Sequence, residues 1–243
     1  MSTGVFLFGR GGRMGRAIER VLNAGSEGHV TGGVDAGDPP VIAPGTSVII
    51  DFSGAEAAPT ALRLAREAGV ALVAGTTGLG PAYFNALEAA ADEIPVLYAA
   101  NMSLGVNLLR YLVREAARLL PAEFEAEIVE LHHLRKRDAP SGTALALLES
   151  INAGRKREPH AGLCSSREGL VGERPPGEIG VFGVRGGNVA GEHTVYFFGE
   201  NERIELTHRA TDRDIFARGA ARAGLWLANQ APGRYTIEDV LGL

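Results

Sequence analysis

The feature that most constrains this chain is a series of short, almost wholly apolar segments that alternate with helical ones over its first hundred residues. Five segments have the length and composition of buried strands, at 5–8, 29–34, 47–51, 70–74 and 95–98. Strands that are apolar on both faces must be covered on both faces, and helices between them supply right-handed crossovers. The pattern predicts an α/β fold built on a doubly wound parallel sheet.

A glycine-rich turn joins the first predicted strand to the first predicted helix. Its glycines are spaced G-x-x-G-x-x-G, and a methionine occupies the last glycine position of the usual G-x-G-x-x-G pattern. Such a turn lets the backbone approach a pyrophosphate, whose charge then lies against the N–H groups of the helix start. Many strand–helix junctions use glycine for structure alone, but this location favours a Rossmann-type dinucleotide site. The predicted cofactor contacts here are Gly9, Arg10, Gly11, Gly12, Arg13 and Met14.

Asp35 ends the second predicted strand, about twenty positions beyond the glycine turn. A carboxylate there can accept hydrogen bonds from both hydroxyls of an adenosine ribose, although the same segment also suits an exposed turn. Asp35 would repel a 2′-phosphate and favour NADH. Arg10 and Arg13 could reach such a phosphate, so these residues leave the choice between NADH and NADPH open.

Polar or glycine-rich segments follow three successive predicted strands, at 51–53, 75–78 and 99–103. Ligands in parallel sheets bind beyond the carboxyl ends of the strands. Because three strand ends share this character, we expect them to open into one crevice, with a nicotinamide along the last two. The predicted contacts there are Gly75, Thr76, Thr77, Ala99, Ala100, Asn101 and Met102.

The pattern changes after Asn101. Helices are predicted at about 105–120, 141–153 and 214–229, with a strand at 126–132. Three further extended runs, at 179–185, 189–198 and 203–210, are separated by Gly186-Gly187-Asn188 and Gly199-Glu200-Asn201, which is hairpin chemistry. We expect a smaller α+β domain with an open antiparallel or mixed sheet, and a subunit partner over one face of that sheet.

The stretch from Glu130 to Ala144, ELHHLRKRDAPSGTA, concentrates the side chains that can carry chemistry. His132 or His133 can give or take a proton near neutral pH, and Lys136 can hold a carboxylate or a developing negative charge. Ser141 can cap a helix, so that Gly142 and Thr143 offer N–H groups to an anion. Strand alternation puts Glu130 and His132 on one face and His133 on the other. The two histidines therefore meet one ligand only if the strand ends between them.

Two other interpretations of this stretch stay open. Glu130, His132, His133 and Asp138 could bind a metal, although adjacent histidines, three neighbouring cations and the absence of HExxH spacing argue against it. The stretch could also be a cationic surface loop ahead of a capped helix. We expect no metal.

The composition argues against several classes of protein. The net charge is −5 and the Lys and Arg residues are scattered, whereas a nucleic-acid partner needs a concentrated basic surface. No apolar run is long enough to cross a bilayer, and no secretory signal pattern is visible. The single cysteine, Cys164, cannot form an internal disulfide, as expected for a reducing compartment. We therefore expect a cytoplasmic protein with neither a membrane nor a nucleic-acid partner.

The stretch 130–144 resembles the signature of the 4-hydroxy-tetrahydrodipicolinate reductase family, also called dihydrodipicolinate reductase. It matches the pattern E-x-H-H-x-x-K-x-D-A-P-S-G-T-A at every fixed position. Further similar segments are GRGGRMG, DFS, GTTG, ANMSLGVN, SREG, GER, GEHT and FARGA, so the resemblance spans nearly the whole chain. One departure is Ala36, which stands where some members have an arginine near the adenosine ribose.

The resemblance implies an enzyme of lysine and diaminopimelate biosynthesis that uses NADH or NADPH to reduce a cyclic imine dicarboxylate to tetrahydrodipicolinate. It implies that His132 donates the proton, that Lys136 assists, and that His133, Gly142 and Thr143 hold the substrate carboxylates. It further implies a dinucleotide-binding domain of residues 1–103 and 213–243, a substrate-binding and oligomerisation domain of residues 104–212, and a homotetramer assembled through the C-terminal sheet. The alternatives are a dehydrogenase of another small carboxylated imine and a non-catalytic nucleotide-binding module.

Overall fold

A computed structural model describes residues 2–243, and the chain divides into two units. The first unit runs up to Leu104 and resumes over Asp214–Leu243, and the second is Gly105–Arg213. The strands are β1 (Thr3–Phe8), β2 (Gly28–Val34), β3 (Val48–Asp51), β4 (Ala71–Ala74), β5 (Pro95–Tyr98), β6 (Glu125–His132), β7 (Leu163–Cys164), β8 (Ile179–Arg185), β9 (Gly191–Phe198), β10 (Arg203–Ala210) and β11 (Gly233–Tyr235). The helices are α1 (Arg13–Ala24), α2 (Ala58–Ala68), α3 (Pro81–Ala90), α4 (Leu104–Leu119), α5 (Gly142–Gly154), α6 (Asp214–Leu227) and α7 (Ile237–Leu241).

The first unit contains a six-stranded sheet in the order β11-β5-β4-β3-β1-β2, and every pairing in it is parallel. Helices cover both faces of this sheet, as the alternate residues of β3 show. Val48 and Ile50 pack with residues of α1 and α6, whereas Ile49 packs with residues of α2 and α3. The predicted doubly wound parallel sheet is therefore confirmed. The structure adds an edge strand, β11, and the short helix α7, neither of which the sequence pattern predicted.

The second unit contains a mixed sheet in the order β10-β9-β6-β8-β7. The expectation of a hairpin between β8 and β9 is wrong, because β6 lies between them, parallel to β8 and antiparallel to β9. The turn at Gly186-Gly187-Asn188 instead crosses the end of β6, where the N–H of Gly186 donates to the carbonyl of His132 at 2.9 Å. The expected hairpin between β9 and β10 is confirmed, with Phe198 paired to Arg203 at the turn.

Helices α4 and α5 cover one face of this second sheet. Leu109 and Val113 of α4 share a core with Leu147 and Ile151 of α5 and with buried strand residues such as Ile128. The opposite face is less covered, since every second residue of β9 is only half-buried. No helix within residues 2–243 is long and apolar enough to cross a membrane.

Candidate active site

Strand β6 places its last residues on two different sides of the second sheet, as its alternation predicted. Ile128, Glu130 and His132 are buried, and the residues between them are half-buried. The strand ends at His132, so His133 belongs to the following turn, where its Nδ1 accepts from the N–H of Arg135 at 3.1 Å. The two histidines therefore lie in different surroundings although they are neighbours in sequence.

Glu130 is the buried centre of a hydrogen-bonded cluster. Its carboxylate accepts two hydrogen bonds from Arg185, at 2.8 and 2.9 Å, one from Nδ1 of His132, and one from the N–H of Ser141 at 3.2 Å. Burial alone would favour the neutral acid, but the donors Arg185 and His132 outweigh it and lower the pKa of Glu130. Arg185 also donates to the carbonyl of Asp138 at 2.7 Å, which ties this cluster to the loop that carries Lys136. The cluster thus holds an ionised carboxylate against one edge of the His132 ring.

The other ring nitrogen of His132 faces Gly191 of β9. A Cβ atom built on Gly191 would lie 3.0 Å from Nε2 of His132, and the φ angle of +154° at Gly191 is one that favours glycine. Because Nδ1 donates to Glu130, Nε2 is the nitrogen through which His132 can exchange a proton with a ligand. The histidine is thereby held in one orientation, with one defined reactive atom.

Helix α5 begins directly beside this histidine. Ser141 is its N-cap, with Oγ accepting from the N–H of Ala144 at 3.1 Å, so Gly142 and Thr143 occupy the first turn. A Cβ atom on Gly142 would meet nothing within 4 Å, which leaves open space at the helix start. The partial positive charge of a helix N-terminus stabilises an anion there.

His193 of β9 completes the buried cluster and was not predicted as a site residue. Its ring packs edge-on against His132 at 5.1 Å, and its Nε2 lies 3.1 Å from Oγ of Ser141. Burial, aided by the charge of His132, lowers the pKa of His193 to about 4, so this ring is neutral at pH 7. Its Nδ1 is buried and has no hydrogen-bond partner among the described residues.

Lys136 lies in the loop between β6 and α5 and pairs with Asp138 at 2.9 Å. That hydrogen bond lowers the pKa of the exposed Asp138 carboxyl. Partial desolvation, together with Arg213 and Arg135, lowers the pKa of His133. A neutral His133 whose Nδ1 already accepts a hydrogen bond carries its proton on Nε2, where it can donate to a carboxylate.

The glycine turn of the first unit brings the backbone close to the start of α1. Gly9 adopts a φ of +80°, and Gly12 caps α1 without a side-chain hydrogen bond. A Cβ atom on Gly15 would lie 2.3 Å from the carbonyl oxygen of Gly9, so the turn and helix can approach this closely only with glycine there. Of the other predicted contacts, Arg13 is the exposed first residue of α1, whereas Met14 packs partly buried against the core.

Asp35 and the glycine turn border a cavity of about 690 Å³ at the carboxyl ends of β1, β2 and β3. Both oxygens of Asp35 accept from the N–H of Gly11 at 2.9 Å. The cavity is lined by Phe8, Gly9, Gly12, Val34, Asp35, Ala36, Gly37, Asp38, Pro40, Phe52, Ser53, Gly54, Ala55, Glu56, Ala57 and Thr60. A larger cavity of about 770 Å³ touches Thr3 and Gly28 at the amino ends of β1 and β2, which is the wrong end of a parallel sheet for a nucleotide.

The ends of β3 and β4 are joined by the buried carboxylate of Asp51. It accepts from the N–H and the hydroxyl of Ser53, at 2.9 and 2.5 Å, and from the hydroxyl of Thr76 at 2.9 Å. Burial nevertheless raises the pKa of Asp51. Gly75 packs against the ring of Phe52. A Cβ atom on residue 75 would lie 2.3 Å from that ring. The end of β5 lies beside that of β4, where the N–H of Ala99 donates to the carbonyl of Ala74 at 3.1 Å, so the structure brings the three predicted strand ends side by side.

The remaining predicted cofactor contacts differ in exposure. Thr77 and Ala100 are exposed, and Ala99 is half-buried. The side-chain oxygen of Asn101 accepts from the N–H of Ser103 at 2.9 Å. The side chain of Met102 is 2% exposed and belongs to the core, so Met102 could contact a ligand only through its backbone.

The four residues considered for a metal site are engaged elsewhere. Glu130 binds Arg185 and His132, Asp138 binds Lys136, and His133 lies in the turn beyond the strand. Within residues 2–243, no three His, Cys, Asp or Glu side chains are grouped so that they could hold a metal ion.

Comparison with known proteins gives an independent observation. The family model described as "Dihydrodipicolinate reductase, C-terminus" matches residues 105–241, and the one described as "Dihydrodipicolinate reductase, N-terminus" matches residues 38–102. The chain belongs to the dihydrodipicolinate reductase family. Members of this family are NAD(P)H-dependent oxidoreductases of lysine and diaminopimelate biosynthesis.

Similar members of the dihydrodipicolinate reductase family align with most of the chain. The 4-hydroxy-tetrahydrodipicolinate reductase of Anaeromyxobacter sp. (strain Fw109-5) is 47% identical over 98% of this chain and 97% of that protein. The one from Myxococcus xanthus (strain DK1622) is 51% identical over 80% of this chain and 72% of that protein. A solved dipicolinate-bound dihydrodipicolinate reductase from Paenisporosarcina sp. TG-14 has the same fold, with a TM-score of 0.78, 21% identity and coverage of 97% of this chain and 98% of that one.

The predicted dihydrodipicolinate reductase family, fold class, enzyme class and nicotinamide cofactor are therefore confirmed. The roles of individual residues stay predictions. Sequence reasoning missed Arg185, Gly191 and His193, which reach the cluster through strand pairing with β6. The GEHT segment that contains two of them was noticed only as part of the family resemblance.

Proposed function

We propose that this chain reduces 4-hydroxy-tetrahydrodipicolinate to tetrahydrodipicolinate in lysine and diaminopimelate biosynthesis, with His132 as the proton donor. The 4-hydroxyl group leaves as water, and the hydride and the proton add across the ring double bond that its loss creates. The observation that carries the proposal is the buried Glu130–His132 pair beside the start of α5. It combines a proton donor of fixed orientation with a site for an anion. Family membership supplies the substrate and the reaction type.

His132 acts as the acid through Nε2. When the ring is protonated, Nδ1–H stays hydrogen-bonded to Glu130 and Nε2–H is the proton that moves to the substrate ring carbon. The carboxylate stabilises the imidazolium in a buried setting where an isolated charge would be costly. Arg185 keeps Glu130 ionised, so that Glu130 orients the histidine without taking its proton.

The substrate carboxylates meet Lys136, His133 and the first turn of α5 with Gly142 and Thr143. Lys136 is paired with an exposed aspartate, which a substrate carboxylate can replace with little loss. The neutral His133 donates from Nε2. The open space at Gly142 admits a carboxylate to the helix start.

The first unit binds NADH or NADPH. Its residues fit such a group, because Gly9, Gly12 and Gly15 make room for close backbone approach and a cavity of about 690 Å³ lies beside Asp35. The glycine turn, with Arg13 at the start of α1, takes the pyrophosphate, while Arg10 stays paired with Glu19, and Asp35 takes the adenosine ribose. The nicotinamide end of the cofactor lies along the ends of β4 and β5. The residues there are Gly75, Thr76, Thr77, Ala99, Ala100, Asn101 and Met102. The bound nicotinamide supplies the hydride.

A coupled assay tests the proposal. A synthase makes the unstable substrate from pyruvate and aspartate semialdehyde, and the loss of NADH or NADPH absorbance is followed. We expect His132→Gln and Lys136→Ala to lower kcat by about a hundredfold or more, the usual reach of acid–base and electrostatic catalysis.

His29→Gln and Lys156→Ala are matched controls, because they change the same residue types at positions that are not part of the cluster. Near-normal turnover of both site variants would reject the assigned roles. Turnover of other carboxylated imines but not of this substrate would favour a different dehydrogenase. Cofactor binding without turnover of any imine would favour a nucleotide-binding module.

We also propose a homotetramer formed through the sheet of the second unit, located in the cytoplasm. The less covered face of that sheet carries the stacked rings of Tyr196 and Phe198, and such an open face favours coverage by a partner. The single Cys164 suits a reducing compartment. Light scattering on the purified chain tests the assembly, and a monomer at micromolar concentration would reject it.

A further inference from the structure

The charged side chains that line the cavity beside Asp35 are all acidic. Among the described residues that line it, Asp35, Asp38 and Glu56 are acidic and no Lys or Arg is present. A site for an adenosine 2′-phosphate needs cations, because that group is an anion held by charge-assisted hydrogen bonds. This cavity offers the opposite charge.

Asp35 is held so that its carboxylate stays in place. Its oxygens accept from the N–H of Gly11 at 2.9 Å, and its own N–H donates to Asp38 Oδ2 at 2.9 Å. The N–H of Asp38 returns a hydrogen bond to the carbonyl of Asp35 at 3.1 Å. A carboxylate has about four acceptor sites, so Asp35 can still accept from ribose hydroxyls. A phosphate has no such hydrogens to offer and would meet like charge.

One nearby cation, Arg10, is not among the residues that line the cavity. Its side chain lies over β2, since a Cβ atom on Gly33 would be 2.7 Å from Arg10 Cδ. Its guanidinium binds Glu19 of α1, with Nη2 2.6 Å from Oε1 and Nε 3.4 Å from Oε2. The hydrogen bond that Arg10 donates to Glu19 raises the pKa of Arg10, and the charge of Asp35 acts in the same direction. Arg10 is thus close enough for electrostatic interaction with Asp35, but its guanidinium donates its hydrogen bonds to Glu19.

We propose that this reductase selects NADH over NADPH and that Glu19 contributes to the selection by holding Arg10 away from the place of the 2′-phosphate. The inference rests on the proposed function, since it concerns the cofactor of that reaction. Glu19 is a positioning residue, because it acts on the cofactor through Arg10. Asp35 recognises the ribose directly.

Binding measurements test the proposal without turnover. The Kd values of NADH and NADPH are measured by nicotinamide fluorescence, and those of 5′-AMP and 2′,5′-ADP by calorimetry, at one fixed ionic strength. We expect the wild-type chain to bind NADPH at least about tenfold more weakly than NADH, and 2′,5′-ADP more weakly than 5′-AMP.

Variants separate the part played by Glu19. Glu19→Gln frees Arg10, so we expect NADPH binding to tighten about three- to tenfold while the Kd of NADH changes less than about twofold. Adding Arg10→Ala to Glu19→Gln should abolish that gain, whereas Arg10→Ala alone should leave the wild-type ratio of the two Kd values unchanged. Glu67→Gln is the matched control, because it removes another Glu–Arg pair, with Arg63 at 2.7 Å on α2.

Each outcome decides a separate question. Equal or tighter binding of NADPH by the wild-type chain overturns the selection of NADH. A gain in Glu19→Gln that survives Arg10→Ala, or no gain at all, overturns the role of Glu19. Failure to bind either nucleotide would reject the proposed function as well, so the two failures are distinguishable.

Discussion

Replacing Glu130 by Gln tests whether the buried carboxylate governs proton transfer by His132. In the native chain the carboxylate accepts from Nδ1 of His132 and from Arg185 at 2.8 and 2.9 Å. Glutamine has nearly the same size but no charge, and its amide NH₂ must face one of these two donors. At least one hydrogen bond is therefore lost, and the imidazolium loses its counter-charge.

The magnitude follows from the charge-assisted bond. A hydrogen bond to a charged group contributes about 1.5–3 kcal/mol, and about 1.4 kcal/mol changes a proton equilibrium tenfold. Since the loss destabilises the protonated ring, Glu130→Gln should lose turnover at lower pH than the wild type. We expect kcat to fall about ten- to hundredfold at pH 8 and by less at lower pH, so that the pH profile of turnover changes.

The measurement is kcat as a function of pH in the coupled assay, together with the thermal unfolding midpoint. Arg185 is left without its carboxylate, so Glu130→Gln also loses stability. Glu127→Gln is the matched control, because Glu127 lies on the same strand and is bound by Arg167 and Arg174. It should lose stability and keep the wild-type pH profile. A wild-type profile in Glu130→Gln as well would refute the reasoning.

Three further substitutions have expected outcomes. Burial lowers the pKa of His193 to about 4 in the folded chain, so the unfolded chain takes up the proton first as the pH falls from 6.5 to 4. Native stability then declines by up to about 3 kcal/mol over that interval, and His193→Gln should flatten this limb of the denaturant midpoint plotted against pH. Gly191→Ala puts a Cβ atom 3.0 Å from Nε2 of His132, and we expect kcat to fall at least about tenfold with the cofactor Kd unchanged. Gly15→Ala puts a Cβ atom 2.3 Å from the carbonyl oxygen of Gly9, so calorimetry should give at least about tenfold weaker cofactor binding and scanning calorimetry a lower Tm.

The parallel sheet could be predicted because its strands carry their own signal. The segments β3, β4 and β5 are short runs of apolar residues bounded by turns, and β3 and β4 are buried at every position. The edge strand β11 has only three residues and none of them is fully buried. A strand of that length exists because it pairs with β5, and local sequence does not encode the pairing.

The error at the second sheet has a similar cause. Gly186-Gly187-Asn188 has the composition of a tight turn, and a turn does form there. The residues of a turn determine where the chain reverses. Which strands then pair depends on how their apolar side chains pack together. Strand β6 is far earlier in the chain and supplies the central partner for both β8 and β9.

The residues of the candidate site likewise fall into those that local sequence predicted and those that it did not. The alternation within β6 predicted that Glu130 and His132 share a face, and the cap at Ser141 predicted the start of α5. The partners that orient them are distant in sequence. Arg185 lies 55 positions after Glu130, and His193 lies 52 positions after Ser141. No local periodicity could have assigned them.

The corrected topology and the chemistry of His132 are consequences of one arrangement. Because β6 lies between β8 and β9, the end of β6 is bordered on both sides, with His132 opposite Arg185 on β8 and Glu130 opposite His193 on β9. The predicted β8–β9 hairpin would have placed β6 beside only one of these strands, and either Arg185 or the pair of Gly191 and His193 would have been missing from the cluster. A contiguous signature can therefore identify the family, while the orientation of its proton donor depends on strands that the signature does not contain.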